Sequence, residues 1–119
     1  QEPCPCKTGT SLLVKNLFFN VPARRNFLKS NNAETRHILE EFNRVALINP
    51  QIGFGFIHNE KVVYKLPSGS LKSRIVGVFG KTYDERLLSV SQKTDILSIS
   101  GFIVKPEYSK KTRGEQYFF

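Results

Sequence analysis

The spacing of apolar positions predicts helices interleaved with hairpins after an extended start. From Ser11 to Phe19 the run Ser-Leu-Leu-Val-Lys-Asn-Leu-Phe-Phe is almost continuously apolar and rich in β-formers, which predicts a largely buried strand. Asn20-Val21-Pro22 breaks it. With Pro22 in the first turn, where a missing N–H costs nothing, one or two helical turns are predicted over Ala23 to Leu28. Ile38, Leu39, Phe42, Val45 and Ala46 then recur at helical spacing, with Asn31 or Asn32 able to cap the start and Asn49-Pro50 ending the helix near Ile48. Glu40 and Arg44 form a four-apart pair on its exposed side.

Period-two runs follow. Ile52 to His58 and Lys61 to Leu66 flank Asn59-Glu60, which predicts a hairpin. After Pro67-Ser68-Gly69, Ser70 can cap a second helix whose apolar positions are Leu71, Ile75, Val78 and Phe79, with Gly80 as its stop. Leu87 to Gln92 and Ile96 to Val104 predict a second hairpin around Lys93-Thr94-Asp95, followed by a basic loop from Lys105 to Gly114 and a strand-like run, Gln116 to Phe119. Helices alternating with hairpins predict an α+β fold, a mixed or antiparallel β-sheet with helices packed on one face.

Composition adds bounds. The chain has 119 residues, 39% of them hydrophobic and ten of them phenylalanine, enough to bury a core. It contains no methionine, and a glutamine after the initiator normally leaves that residue in place, so a segment of a longer protein is expected. Eighteen Lys and Arg against ten Asp and Glu give a net charge of +8, which favours a polyanionic partner or simply keeps a basic domain in solution. No stretch reaches the roughly 20 apolar residues that cross a bilayer. The first six residues, Gln-Glu-Pro-Cys-Pro-Cys, lack the halves of a signal peptide, so a soluble, cytoplasmic protein without membrane association is expected. Cys4 and Cys6 are too close for a strain-free disulfide, and with His37 and His58 they lack metal-ligand spacing, so no metal site is expected.

Catalytic patterns are lacking. Gly80-Lys81-Thr82 resembles the end of a phosphate-binding loop, but Ile75 stands where that motif requires glycine, and the helix precedes rather than follows it. No serine sits in a Gly-x-Ser-x-Gly elbow, and the adjacent Asp84 and Glu85 diverge on any regular element. No catalytic residues are expected in this chain.

Gly9-Thr10, then Val14, then Leu17-Phe18-Phe19-Asn20-Val21-Pro22-Ala23-Arg24-Arg25-Asn26-Phe27-Leu28 closely resembles the signature of the MutL family of DNA mismatch repair proteins. The likeness continues in a Glu-bearing amphipathic helix, in Ala46-Leu47-Ile48-Asn49-Pro50, and in Arg74-Ile75 opening a helix before Phe79-Gly80, and so spans essentially the whole chain. It implies a place in a two-domain ATPase region of the GHKL class, with residues 1–22 a terminal strand and linker of the ATP-binding domain. Residues 23–119 would then be a transducer domain, C-terminally truncated, resembling the second domain of a small-subunit ribosomal protein.

For the longer protein the resemblance implies ATP and Mg as cofactors, a homodimer, DNA, and the mismatch sensor MutS as partners. Gly9 and Thr10 match the last nucleotide-site motif; a plain turn into a strand is the alternative reading of the pair. The first three motifs, the family's Asn-x-His-Pro-x-Lys context and its Asn-Gly-Arg segment are not in this sequence, so no cofactor is expected for these residues alone. DNA-phosphate candidates are Lys72, Arg74, Lys105, Lys110, Lys111 and Arg113. Asn20, Pro22, Arg24 and Arg25 form a candidate structural junction, where guanidinium groups can bridge carbonyls or a carboxylate. A stand-alone nucleic-acid-binding module of ribosomal-protein-like fold, without ATP coupling, is the alternative, and a middle domain of another ATPase of the same class is a third reading.

Overall fold

The computed structural model describes residues 8–111 and 114–119, so Cys4, Cys6 and Arg113 lie outside the described residues. The chain divides into two compact units, Gln1–Thr35 and Arg36–Phe119.

In the first unit the strand expected over Ser11 to Phe19 does not form. Asn16 and Phe18 take left-handed backbone angles, φ 51° and 65°, and the chain turns there through Phe19 N–H to the Asn16 carbonyl (2.9 Å). A strand needs a partner for its backbone groups, and none pairs with this run among the described residues. Leu12, Leu13 and Phe19 are exposed. Helix α1 spans Pro22–Asn26 with the proline in its first turn, as the sequence predicts.

Helix α2 spans Asn31–Ile48. Its start is held not by Asn31 or Asn32 but by Ser30, whose Oγ accepts from Ala33 N–H, while Glu34 reaches back to accept from Lys29 N–H (2.8 Å). These reciprocal bonds satisfy two N–H groups at and just before the helix start, in the manner of a capping box shifted by one residue. Asn49 closes the other end by donating to the Val45 carbonyl at 3.0 Å.

Strands β1 (Phe54–His58) and β2 (Lys61–Leu66) pair antiparallel. Asn59 and Glu60 both have positive φ, 48° and 64°, the conformation of a two-residue turn that matches strand twist. An irregularity between Phe56 and Ile57 shifts the register, leaving Phe54 opposite Leu66 and Phe56 opposite Tyr64. Helix α3 spans Leu71–Phe79. Ser70 caps it, accepting from Ser73 N–H at 3.2 Å, and Gly80 ends it at φ 105°. A 3₁₀ turn at Lys81–Tyr83 leads to β3 (Leu87–Lys93) and β4 (Ser98–Val104), an in-register antiparallel hairpin whose connection is closed by Thr94 and Leu97. A second 3₁₀ turn, Pro106–Tyr108, follows.

The α+β class holds, but the single mixed sheet does not form. Each hairpin is its own two-stranded sheet, because among the described residues no strand lies between them to join the ladders. The run from Gln116 to Phe119 is likewise not a strand. In the second unit Ala46, Leu47, Leu66 and Val78 are buried, with Phe42, Phe54, Tyr64, Ile75, Phe79 and Tyr117 packed around them. Phe42 stacks on Tyr64 (5.6 Å between centroids, 8° between planes) and meets Phe54 edge-on, geometries that aromatic quadrupoles favour. Both helices thus use the Tyr64–Leu66 side of the first hairpin.

The buried stripe of α2 differs from the sequence expectation. Ile38 and Val45 are more than half exposed, while Leu47 turns inward. Phe42 and Ala46 belong to the expected stripe and do turn inward; with Phe42 set among the rings of Phe54, Phe56 and Tyr64, the stripe continues to Leu47 rather than to Val45.

Candidate functional site

Arg74 is the sequence-predicted phosphate contact that the fold removes from the surface. It is 2% exposed, and its Nη2 donates to the carbonyls of Pro50 (2.9 Å), Ile52 and Pro67 (3.1 Å). Its guanidinium lies over the Phe54 ring, 5.2 Å from the centroid. A single nitrogen thereby ties the segment entering the first hairpin to the segment leaving it. Burial lowers the guanidinium pKa from its ordinary value, but arginine keeps its proton in proteins. The correction follows from helical geometry: position 74 is four residues before Val78 and faces the same interior.

The other basic candidates are at the surface and unequally engaged. Lys72 pairs with Asp84 at 2.7 Å. Lys110 pairs with Glu115, whose second carboxylate oxygen accepts from the Tyr83 hydroxyl at 2.7 Å. Burial alone would push the Glu115 carboxyl up, but the bonds from Lys110 and Tyr83 outweigh it and hold the group below its ordinary value. The same bond to Glu115, with Tyr83 adding to it, raises the Lys110 ammonium.

Lys105 and Lys111 are without an ion pair among the described residues, and Lys105 opens the turn at Pro106–Tyr108, its N–H bonded to the Arg86 carbonyl at 2.8 Å. Arg86, not singled out by sequence, sits with its guanidinium over the Tyr108 ring, 4.6 Å from the centroid. Neither its partner 22 positions away nor the pairing of Tyr83 with Glu115 leaves a spacing signal. The result is a basic loop anchored at both ends, able to offer cations to anionic oxygens.

The junction and nucleotide candidates lie in the first unit. Gly9 and Thr10 are exposed and outside any regular element. Arg24 and Arg25 are exposed in the last turn of α1, and no side-chain bridge from either forms among the described residues. Asn20 lies in the turn before Pro22. On α2, Arg44 pairs with Glu41 at 2.7 Å rather than with Glu40, which lies 3.7 Å from His37. His58 lies against Asn59, so the two histidines have separate neighbours. A polar cavity of about 310 Å³ is lined by Glu40, Arg44, Gly114, Gln116 and Tyr117.

No family model matches the chain. Curated relatives do. The chain is 53% identical over 119 residues to the DNA mismatch repair protein MutL of Flavobacterium johnsoniae and 56% identical over 119 residues to that of Flavobacterium psychrophilum. It is 47% identical over 118 residues to that of Parabacteroides distasonis. These alignments cover 99% to 100% of the chain but only 18% to 19% of each relative, so the chain spans about a fifth of their length. Among solved structures, the Aquifex aeolicus MutL ATPase domain complexed with ADP matches with TM-score 0.55 and 34% identity, over 63% of this chain and 30% of that one.

Proposed function

The chain belongs to the MutL family of DNA mismatch repair proteins, and we propose that it is part of an ATP-driven repair protein in which it couples nucleotide state to DNA. The observation that carries this reading is identity of about half, over 99% to 100% of this chain, to about a fifth of the length of curated MutL proteins, joined to a structural likeness to an ATPase domain solved with ADP. In this proposal residues 1–22 complete the ATP-binding domain, and Gly9 and Thr10 approach the nucleotide. The rest of the nucleotide site, with its Mg, comes from residues outside this chain. Residues 23–119 form the transducer, and the longer protein dimerises, meets the mismatch sensor MutS and works in the cytoplasm. No helix among the described residues is long and apolar enough to cross a membrane.

The proposed DNA face comprises Lys72, Lys105, Lys110, Lys111 and Arg113, with Arg74 withdrawn to its structural role. These cations would hold phosphates through charge and counterion release, without base readout. The test is a titration of labelled duplex DNA with the 119-residue chain at about 50 and 200 mM salt, with ATP binding measured on the same preparation. Binding that weakens steeply with salt, without tight ATP binding, is the expected result. Absent or salt-insensitive DNA binding overturns the DNA face, and tight ATP binding overturns the placement of most of the nucleotide site outside this chain.

A further inference from the structure

We propose that Asp84 and Glu115 are built-in competitors for DNA phosphate, each holding one of the lysines that the DNA face would use. The inference rests on the DNA reading above and deepens it by assigning what limits affinity.

Two contacts carry it. Lys72 reaches from α3 to Asp84 just after the first 3₁₀ turn, at 2.7 Å, with both side chains substantially exposed (43% and 61%). Lys110 reaches Glu115 across the end of the basic loop, and that carboxylate is also fixed by the Tyr83 hydroxyl at 2.7 Å. A lysine so engaged must leave a carboxylate before it can meet a phosphate, whereas Lys105 and Lys111 need not. Exposed ion pairs are individually weak. The competition therefore reduces affinity without abolishing it, and Lys105 and Lys111, in no ion pair among the described residues, make the first encounter.

Glu115 holds a second role in the geometry. Because its two oxygens are shared between Lys110 and Tyr83, it clamps the loop end to the 3₁₀ turn. The clamp and the competition are separable: Tyr83→Phe loosens the clamp but leaves the charge pair.

The experiment measures affinity of the 119-residue chain for a labelled duplex at low salt, comparing Asp84→Asn and Glu115→Gln with Glu107→Gln and Tyr83→Phe. Glu107 lies in the same loop and is in no ion pair among the described residues, so its variant changes net charge equally without releasing a lysine. Circular dichroism checks that each variant is folded. Asp84→Asn and Glu115→Gln are expected to bind about three- to five-fold more tightly than the parent chain, well beyond Glu107→Gln, with Tyr83→Phe near the parent. If all acidic variants gain equally, bulk charge explains the gain and the competition is refuted. A gain in Tyr83→Phe equal to that in Glu115→Gln assigns the effect to loop release and also refutes it. Duplex binding by the parent chain with no change in either variant overturns this inference alone. Absence of binding in every protein overturns the DNA reading with it, whereas binding that emerges only in Asp84→Asn and Glu115→Gln supports the competition.

Discussion

Replacing Arg74 by alanine tests whether this buried cation organises the second unit. The substitution removes three hydrogen bonds, all made by Nη2, to the carbonyls of Pro50, Ile52 and Pro67. The Pro50 carbonyl keeps a partner, since it also accepts from Gly69 N–H at 2.9 Å. The Ile52 and Pro67 carbonyls, on exposed residues, each lose a part-buried bond from a charged donor, at about 1.5 kcal/mol each, the low end for such bonds. Contact with the Phe54 ring is lost as well. Against this, Arg74 Nε and Nη1 are buried without a protein acceptor among the described residues, and their removal returns part of the loss.

The net expectation is destabilisation by about 3 kcal/mol. With a urea m-value of about 1.5 kcal/mol/M the midpoint falls by about 2 M. The chain has no tryptophan, so unfolding is followed by far-ultraviolet circular dichroism. Arg74→Lys sharpens the test, because one nitrogen makes all three contacts, sharing its two N–H groups among them, and an ammonium carries three. It should recover more than half of the loss, and it remains readable if the alanine variant does not fold. A loss below about 0.5 kcal/mol in Arg74→Ala, set against the expected cost of unpaired carbonyls, would refute the reasoning. So would a lysine variant as unstable as the alanine one.

Two further outcomes are expected. Gly77 lies on α3 where an added Cβ would come 2.9 Å from Leu66 Cδ2, a side chain only 4% exposed. Gly77→Ala should therefore destabilise the chain by about 1 kcal/mol through overpacking, despite better helix propensity. In a Leu66→Ala background the same change should stabilise, and a double-mutant cycle in urea checks the reversal of sign. The second outcome concerns pH. The Glu115 carboxyl is depressed by Lys110 and Tyr83 acting against burial, so it favours folding above the unfolded carboxylate value of about 4.3. That contribution fades as pH falls through the lower folded value. Urea midpoints of the parent chain and Glu115→Gln should differ at pH 7 and converge in acid.

Much of the local structure was legible in the sequence because its causes are local. Pro22 at a helix start, Ser70 and Gly80 at the ends of α3, and Asn59-Glu60 between two apolar runs each act within a few residues. The two hairpins and α2 followed from periodicity. The run from Ser11 to Phe19 shows the limit of that reasoning, since its composition favours a strand that requires a partner it does not have among the described residues. Ser30 rather than Asn31 holds the start of α2, because its hydroxyl lies at the N–H of Ala33.

The candidate site was legible as a list of cations but not as an arrangement. Family membership and net charge are properties of the residue string itself, and so is the loop that carries Lys105, Lys110 and Lys111. Which cations face solvent is a property of packing. Only the fold puts Arg74 among carbonyls 7 to 24 positions away, gives Lys72 to Asp84, and closes Lys110 and Tyr83 on Glu115. Sequence spacing carries information over one helical turn or one hairpin, whereas burial and charge pairing depend on distances between segments that only the folded chain brings together.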